Sequence, residues 1–114
     1  MRHFAIIALC AFAFAAPHAA AQNGSNSGQA ETLSHFLARC DAGDPDCQTG
    51  LMSGFDAAID LGYICPPGNL TDEQAAATEL TWLRNAAGAN QTMANGEEEE
   101  AEFTALSTLW PCNN

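Results

Sequence analysis

Residues 40–47 read Cys-Asp-Ala-Gly-Asp-Pro-Asp-Cys, and this short segment determines how the rest of the chain can fold. Glycine and proline interrupt helices, so the segment predicts a turn between two of them. The residues before the turn place apolar side chains at positions i, i+3, i+4 and i+7 of one helical face: Leu33, Phe36, Leu37 and Cys40. After the turn, Asp46 is predicted to cap a second helix that runs to about Gly62 and buries Cys47, Leu51, Phe55, Ala58 and Ile59.

The second predicted helix carries Gly50 and Gly54 four residues apart. A glycine has no Cβ, so this spacing leaves a shallow groove where a neighbouring helix can approach closely. Asp56 and Asp60 on the same helix exclude a membrane span. We therefore expect tight helix packing within a protein core.

A third helix is predicted after Cys65-Pro66-Pro67-Gly68, which stops the second one. Thr71-Asp72-Glu73-Gln74 matches a capping box, with the first residue at the N-cap and the last reaching back to it. The helix is expected to end near Gly88 and to bury Ala76, Leu80, Leu83 and Ala87.

The segment 89–96 is polar and predicts a loop. A fourth helix begins near Glu97–Glu100, because acidic side chains favour the positive N-terminal end of a helix dipole. Pro111 ends this helix, and its apolar side carries Phe103, Leu106, Leu109 and Trp110. No stretch of the sequence alternates with period two. The predicted fold is therefore all-α, a small four-helix bundle stapled by disulfides.

Four cysteines follow the N-terminal region, and an even number in a short secreted chain predicts disulfides: Cys40, Cys47, Cys65 and Cys112. A continuous helix over 47–62 would hold its ends about 22 Å apart. Three further residues reach back at most about 10 Å, whereas disulfide-bonded Cα atoms lie within about 7 Å, which excludes Cys47–Cys65. The pairing Cys40–Cys112 would require that excluded bond, and the crossed pairing places Cys65 at the far end of the hairpin from Cys40. We predict the remaining connectivity, Cys40–Cys47 with Cys65–Cys112.

Residues 1–21 predict a secretory signal peptide. They comprise a short basic start, an apolar run too short to span a bilayer, and a small-residue cleavage site ending at Ala21. Cleavage after Ala21 also removes Cys10. Residues 22–29 are rich in Asn, Gly and Ser and predict a disordered leader, and residues 30–114 predict one helical domain. In a bacterium the mature protein would be periplasmic.

The 114-residue chain has 14 acidic and three basic residues, a formal net charge of −11. Arg2 would leave with the signal peptide, so the mature chain keeps Arg39 and Arg84 and becomes more acidic. Nucleic acids and anionic membrane surfaces would be repelled, which excludes both as partners. A basic protein partner fits this charge, and homodimer formation stays open.

The sequence predicts no catalytic residue, no cofactor and no metal site. His35 is the histidine that remains after cleavage, and it falls off the apolar stripe, so it is expected to face solvent without a catalytic partner. The cysteines lack the paired C-x-x-C spacing of zinc sites. Asp41, Asp44 and Asp46 do not follow the twelve-residue calcium loop and are interpreted as turn and cap residues. The run Glu97–Glu100 is interpreted as a solvated helix start. We therefore do not expect an enzyme.

Several framework residues stand in a distinctive order along the mature chain: Phe36-Leu37 with Cys40, Cys47 before Gly50-Leu51-Met52-Ser53-Gly54, Cys65-Pro66, Gly68-Asn69-Leu70-Thr71 with Gln74, and Trp110-Pro111-Cys112. This order resembles the Rap/Tai family of small periplasmic helical proteins, over nearly all of the chain beyond the leader. The resemblance implies an immunity-type protein that binds and inhibits a peptidoglycan amidase delivered by type VI secretion. It does not point to the residues that bind the partner.

Two functional hypotheses follow. As an amidase inhibitor, the acidic protein would capture a basic enzyme by electrostatic steering, with tight binding at neutral pH that weakens with salt. The alternative is an acid-stress periplasmic chaperone-like protein, whose surface charge would collapse on acidification and expose apolar faces. That alternative predicts client binding at about pH 3, below the ordinary pKa values of carboxyl groups.

Overall fold

The computed structural model describes residues 30–113, and the signal peptide and leader predicted for residues 1–29 lie outside this range. The described part contains, in chain order, α1 (Leu33–Asp41), α2 (Asp46–Asp60), α3 (Asp72–Ala89), α4 (Gln91–Asn95) and α5 (Glu98–Leu109). Extended segments meet there in two isolated β-bridges, Thr32 with Glu97 and Ile64 with Pro111. The predicted all-α fold is confirmed. None of the described helices is both long and apolar enough to cross a bilayer.

The hairpin of α1 and α2 forms at the predicted turn. Thr32 caps α1 by accepting the backbone N–H of His35, and Gly43 adopts a positive φ of 81° within the turn. The prediction that Asp46 is the N-cap of α2 is wrong, since Asp46 is the first helical residue. The Asp44 carboxylate instead accepts the Asp46 N–H at 2.9 Å, because Pro45 between them already has helical backbone angles.

The capping box that starts α3 is confirmed. The Thr71 hydroxyl accepts the Gln74 N–H at 3.1 Å, and the Gln74 side-chain oxygen accepts the Thr71 N–H at 3.0 Å. Two backbone donors that a helix end would otherwise leave unpaired are thereby satisfied.

The segment 89–96, predicted to be a loop, forms the short helix α4. Helix α3 continues past Gly88 and ends at Ala89, because the next residue, Asn90, has extended backbone angles. The Asn90 side chain then accepts the N–H groups of Thr92 and Met93, so one residue ends α3 and caps α4. An asparagine that can serve both helices explains why a polar stretch is helical here.

The core lies among α1, α2, α3 and α5 in two clusters. The larger cluster contains Leu33, Phe36, Leu37, Cys47, Leu51, Ala76, Leu83, Ala101 and Ala105. Leu80 and Ala87, predicted on the buried face of α3, are half-buried and pack against it. The second cluster contains Phe55, Ala58, Ile64, Ala75 and Leu106. The ring of Trp110 meets that of Phe55 edge to face, with centroids 5.2 Å apart.

Two apolar residues predicted to be buried are exposed instead. Ile59 is 39 % exposed, because the buried face of α2 is narrow and Ile59 lies beside it. Phe103 is 50 % exposed, because α5 buries a different face, formed by Ala101, Glu102, Ala105 and Leu106. The Phe103 ring packs outside the core against Tyr63, with centroids 5.6 Å apart.

Both disulfides have the predicted connectivity. Cys40 and Cys47 bridge the α1–α2 turn with Cα atoms 5.2 Å apart. Cys65 and Cys112 join the α2–α3 connection to the end of the chain with Cα atoms 4.9 Å apart. The backbone N–H of Cys65 also donates to the carbonyl of Trp110 at 2.9 Å, so this junction is held by more than one bond.

The two disulfides should contribute unequally to stability. The paired cysteines are 47 residues apart in one bond and seven in the other, and a longer closed loop restricts the unfolded chain more. Replacing Cys65 and Cys112 by alanine should lower the free energy of unfolding by about 4 kcal/mol, against about 2 kcal/mol for Cys40 and Cys47. Urea unfolding followed by circular dichroism measures both, and a larger loss from the short loop would contradict the expectation.

Candidate functional site

Gly54 of α2 faces the side chain of Glu102 on α5. A Cβ atom built on Gly54 would lie 2.7 Å from Cδ of Glu102, closer than two such atoms can approach. One turn earlier, a Cβ on Gly50 would meet only Cε2 of Phe36, at an ordinary 3.8 Å. The missing side chain at position 54 therefore makes room for the carboxyl group of Glu102.

Two glutamates are buried at this contact, one on α3 and one on α5. Glu79 is 0 % exposed and Glu102 is 7 % exposed. Three of their carboxyl oxygens have no hydrogen-bond donor among the described residues: Oε1 and Oε2 of Glu79 and Oε1 of Glu102. A buried carboxylate without donors is strongly unfavourable, so the neutral acid is the form that this environment favours.

The pKa values of these carboxyl groups are shifted accordingly. Burial raises the pKa of Glu79 to about 8 and that of Glu102 to about 10. Burial also raises the pKa of Glu98, which is half-buried one helical turn before Glu102. The acidic neighbours Glu98 and Glu79 raise the pKa of Glu102 further. At neutral pH, Glu79 and Glu102 are therefore held as acids, and we call Glu79, Glu98 and Glu102 the glutamate cluster.

A groove of about 450 Å³ opens beside this cluster, between α2 and α5. The α2 wall carries small residues, Gly50, Ser53, Gly54 and Ala57, and the α5 wall carries Glu98, Glu99, Glu102, Phe103 and Leu106. Tyr63, which is 55 % exposed, also lines the groove beside the ring of Phe103. The groove therefore combines acidic groups with exposed aromatic surface.

The basic residue of the groove is already engaged within the chain. Arg39 donates from Nε and Nη2 to the two carboxylate oxygens of Glu31, each at 2.7 Å, and from Nη1 to Asp44 at 2.8 Å. The Arg39 guanidinium lowers the pKa of Glu31, and the Asp46 backbone N–H together with Arg39 lowers that of Asp44. Arg84 pairs with Asp41 outside the groove. In the described range, the groove acids Asp46, Glu98, Glu99 and Glu102 form no ion pair with a basic side chain.

The observed exposure of the polar residues agrees with the sequence predictions at some positions and differs at others. His35 is exposed as expected, and its Nδ1 contacts the Glu31 carboxylate. Within Glu97–Glu100, three residues are exposed as expected, but Glu98 is half-buried and lines the groove. Sequence reasoning did not identify Glu79 or Glu102 at all. Across residues 30–113, no group of three or more His, Cys, Asp or Glu side chains has an arrangement that could hold a metal ion.

No family model, curated protein or solved structure matches this chain.

The contact between Gly54 and Glu102 can be tested with two alanine substitutions in the same helix. Gly54→Ala should leave the protein less stable than Gly50→Ala does, by about 1 kcal/mol or more, because its Cβ must displace the end of the Glu102 side chain from its buried position. Gly50→Ala has room for its Cβ and should be neutral or stabilising by up to about 1 kcal/mol, the gain in helix propensity. Equal unfolding free energies for the two variants would contradict the close packing.

Stability should fall as pH rises from about 4.5 towards 8. Above the ordinary glutamate pKa of 4.5 the unfolded chain releases protons, whereas folded Glu79 and Glu102 keep theirs up to their raised pKa values. Each retained proton steepens the fall by up to about 1.4 kcal/mol per pH unit. Below pH 4.5 the sign reverses, because Glu31 and Asp44 have lowered pKa values and their contribution is lost as they take up protons.

Urea unfolding between pH 4.5 and 8 should show this slope, and Glu102→Gln should flatten it by up to about 1.4 kcal/mol per pH unit. Glu100→Gln is the matched control, since Glu100 is exposed on the same helix. An unchanged slope in Glu102→Gln would mean that Glu102 is ionised in the folded protein.

Proposed function

We propose that this chain is a periplasmic immunity-type protein that binds and inhibits a basic peptidoglycan amidase through the groove between α2 and α5. The observation that carries the proposal is the lining of the groove, where acidic groups without basic partners stand beside the exposed rings of Tyr63 and Phe103. Aromatic residues are enriched in protein interfaces, and an unpaired charge complements a partner of opposite sign. The choice of an amidase as the partner rests on the resemblance to the Rap/Tai family.

The two disulfides support the location. Structural disulfides form and persist in oxidising compartments, of which the bacterial periplasm is one. The predicted signal peptide would take the chain there. A periplasmic inhibitor would meet an incoming amidase in the same compartment as its peptidoglycan substrate.

The arrangement of the groove favours binding over catalysis. Carboxyl groups with raised pKa values also occur in active sites, where they face a nucleophile, a base or a second carboxylate across the substrate. Here Glu98 and Glu102 stand on one wall, with Glu79 behind them. The opposite wall offers Gly50, Ser53, Gly54 and Ala57, and the described lining contains no histidine or lysine.

The glutamate cluster also weighs against the chaperone alternative. An acid-activated chaperone must loosen as pH falls, but the buried carboxyl groups are already neutral at pH 7 and gain no charge on acidification. Acid would act on the ion pairs nearer the surface, those of Arg39 with Glu31 and Asp44 and of Arg84 with Asp41. We therefore retain the inhibitor as the better-supported function.

The direct test is inhibition of purified type VI peptidoglycan amidases by the oxidised mature protein, residues 22–114. We expect one amidase to form a stoichiometric complex at pH 7, to lose its cleavage of peptidoglycan peptides, and to bind more weakly as salt is added. Failure to inhibit any amidase of the panel, including those encoded beside this gene, would overturn the amidase assignment.

Two double variants distinguish binding at the groove from general attraction of a basic partner by the negative net charge. Asp46→Asn with Glu99→Gln neutralises two exposed lining residues, and Asp56→Asn with Asp60→Asn neutralises two exposed residues outside the groove. The first pair should weaken the complex at least tenfold through faster dissociation, whereas the second should alter mainly the association rate. Equal dissociation rates for the two variants would place the interface elsewhere.

A further inference from the structure

The glutamate cluster leaves hydrogen-bonding capacity that the described part of the chain does not use. Glu102 is more than nine-tenths buried, and its Oε1 has no hydrogen-bond partner in the described structure. Glu102 lines the groove directly, and Glu98 lines it one helical turn away. A ligand that brought several N–H donors and a positive charge into the groove would therefore supply what the fold itself does not.

The chemistry of the groove favours a guanidinium group over an ammonium group. A guanidinium group carries five N–H donors in a flat fork and is weakly hydrated, so it tolerates partial burial better than an ammonium group. Side chains four residues apart on a helix are neighbours, which lets one fork contact both Glu98 and Glu102. The rings of Tyr63 and Phe103 also line the groove and offer flat surfaces on which a guanidinium group can stack.

The chain already contains one arrangement of this kind. The Arg39 guanidinium is held between the carboxylates of Glu31 and Asp44, and it lies over the ring of Phe36 at 5.5 Å from the ring centroid. Carboxylates and an aromatic ring thus hold an arginine at the neighbouring end of the same groove. The remaining acids of the groove repeat those components without the arginine.

We infer that the groove is an arginine-binding site, in which a guanidinium side chain of the basic protein partner pairs with Glu98 and Glu102 beside the rings of Tyr63 and Phe103. This inference rests on the proposed binding function but does not depend on the partner being an amidase. It assigns one anchoring contact within the interface and the chemistry that recognises it.

Proton release should accompany binding. The groups that face Glu102 are Glu79 from α3 and Glu98 from its own helix, and Glu31 and Arg39 act on Glu98 from α1 and the residues before it. Free Glu102 retains a proton because burial and its acidic neighbours raise its pKa. An arginine favours the ionised carboxylate, so the proton leaves when the cation enters, and affinity should rise with pH.

The test uses a blocked peptide, acetyl-Gly-Arg-Gly-amide, titrated into ¹⁵N-labelled mature protein and followed by NMR. We expect saturable shifts centred on the amides of Gly54, Glu98 and Glu102, with an affinity at least fivefold higher at pH 8 than at pH 6. The citrulline analogue, which has the same shape without charge, should cause none of these shifts. Glu102→Gln should abolish the pH dependence, and Glu100→Gln should preserve it.

Shifts spread evenly over the acidic surface, or an equal response to the lysine peptide, would overturn the arginine site. An amidase that is inhibited although the peptide leaves the groove unperturbed would also overturn it while leaving the proposed function intact. Conversely, saturable binding of the arginine peptide without inhibition of any amidase would support the site and count against the amidase alone.

Discussion

The carboxyl group of Glu102 can be buried between α2 and α5 because position 54 has no side chain. The carboxyl group of Glu102 occupies the space that a Cβ on residue 54 would take. Glu79 of α3, which is also buried, is a neighbour of this carboxyl group. Two acids are thereby removed from water, which is tolerable only while they remain uncharged. The groove follows from the same contact, since the small residues around Gly54 form one wall and the turn of α5 before Glu102 forms the other.

Features governed by neighbours in sequence could be predicted well. The capping box of Thr71 and Gln74 and the turn over residues 40–47 depend on groups a few positions apart. The disulfide connectivity needed only the rise of a helix and the reach of three residues. In each case the residues are close in sequence or joined by a segment of known length, so the covalent chain limits the distance between them.

Features that depend on two helices meeting could not be predicted in the same way. Glu79 falls on the stripe of Ala75, Ala76 and Leu83, and Glu102 falls beside Ala101 and Ala105, so the spacing alone was consistent with burial. A charged glutamate is ordinarily expected at the surface. The room that Gly54 leaves for the Glu102 carboxyl group, which permits its burial, is visible only in the structure. Asn90 is a similar case, since its side chain caps a helix where polarity alone suggested a loop.

The order of the disulfides along the chain has a consequence for biogenesis. Both bonds join cysteines that follow one another along the chain, Cys40 with Cys47 and then Cys65 with Cys112. When such a chain enters an oxidising compartment N-terminus first, the first pair can close before the third thiol arrives, and the last two are then left for each other. Native pairing therefore follows the order of emergence, and the slow reshuffling of mispaired bonds is not required.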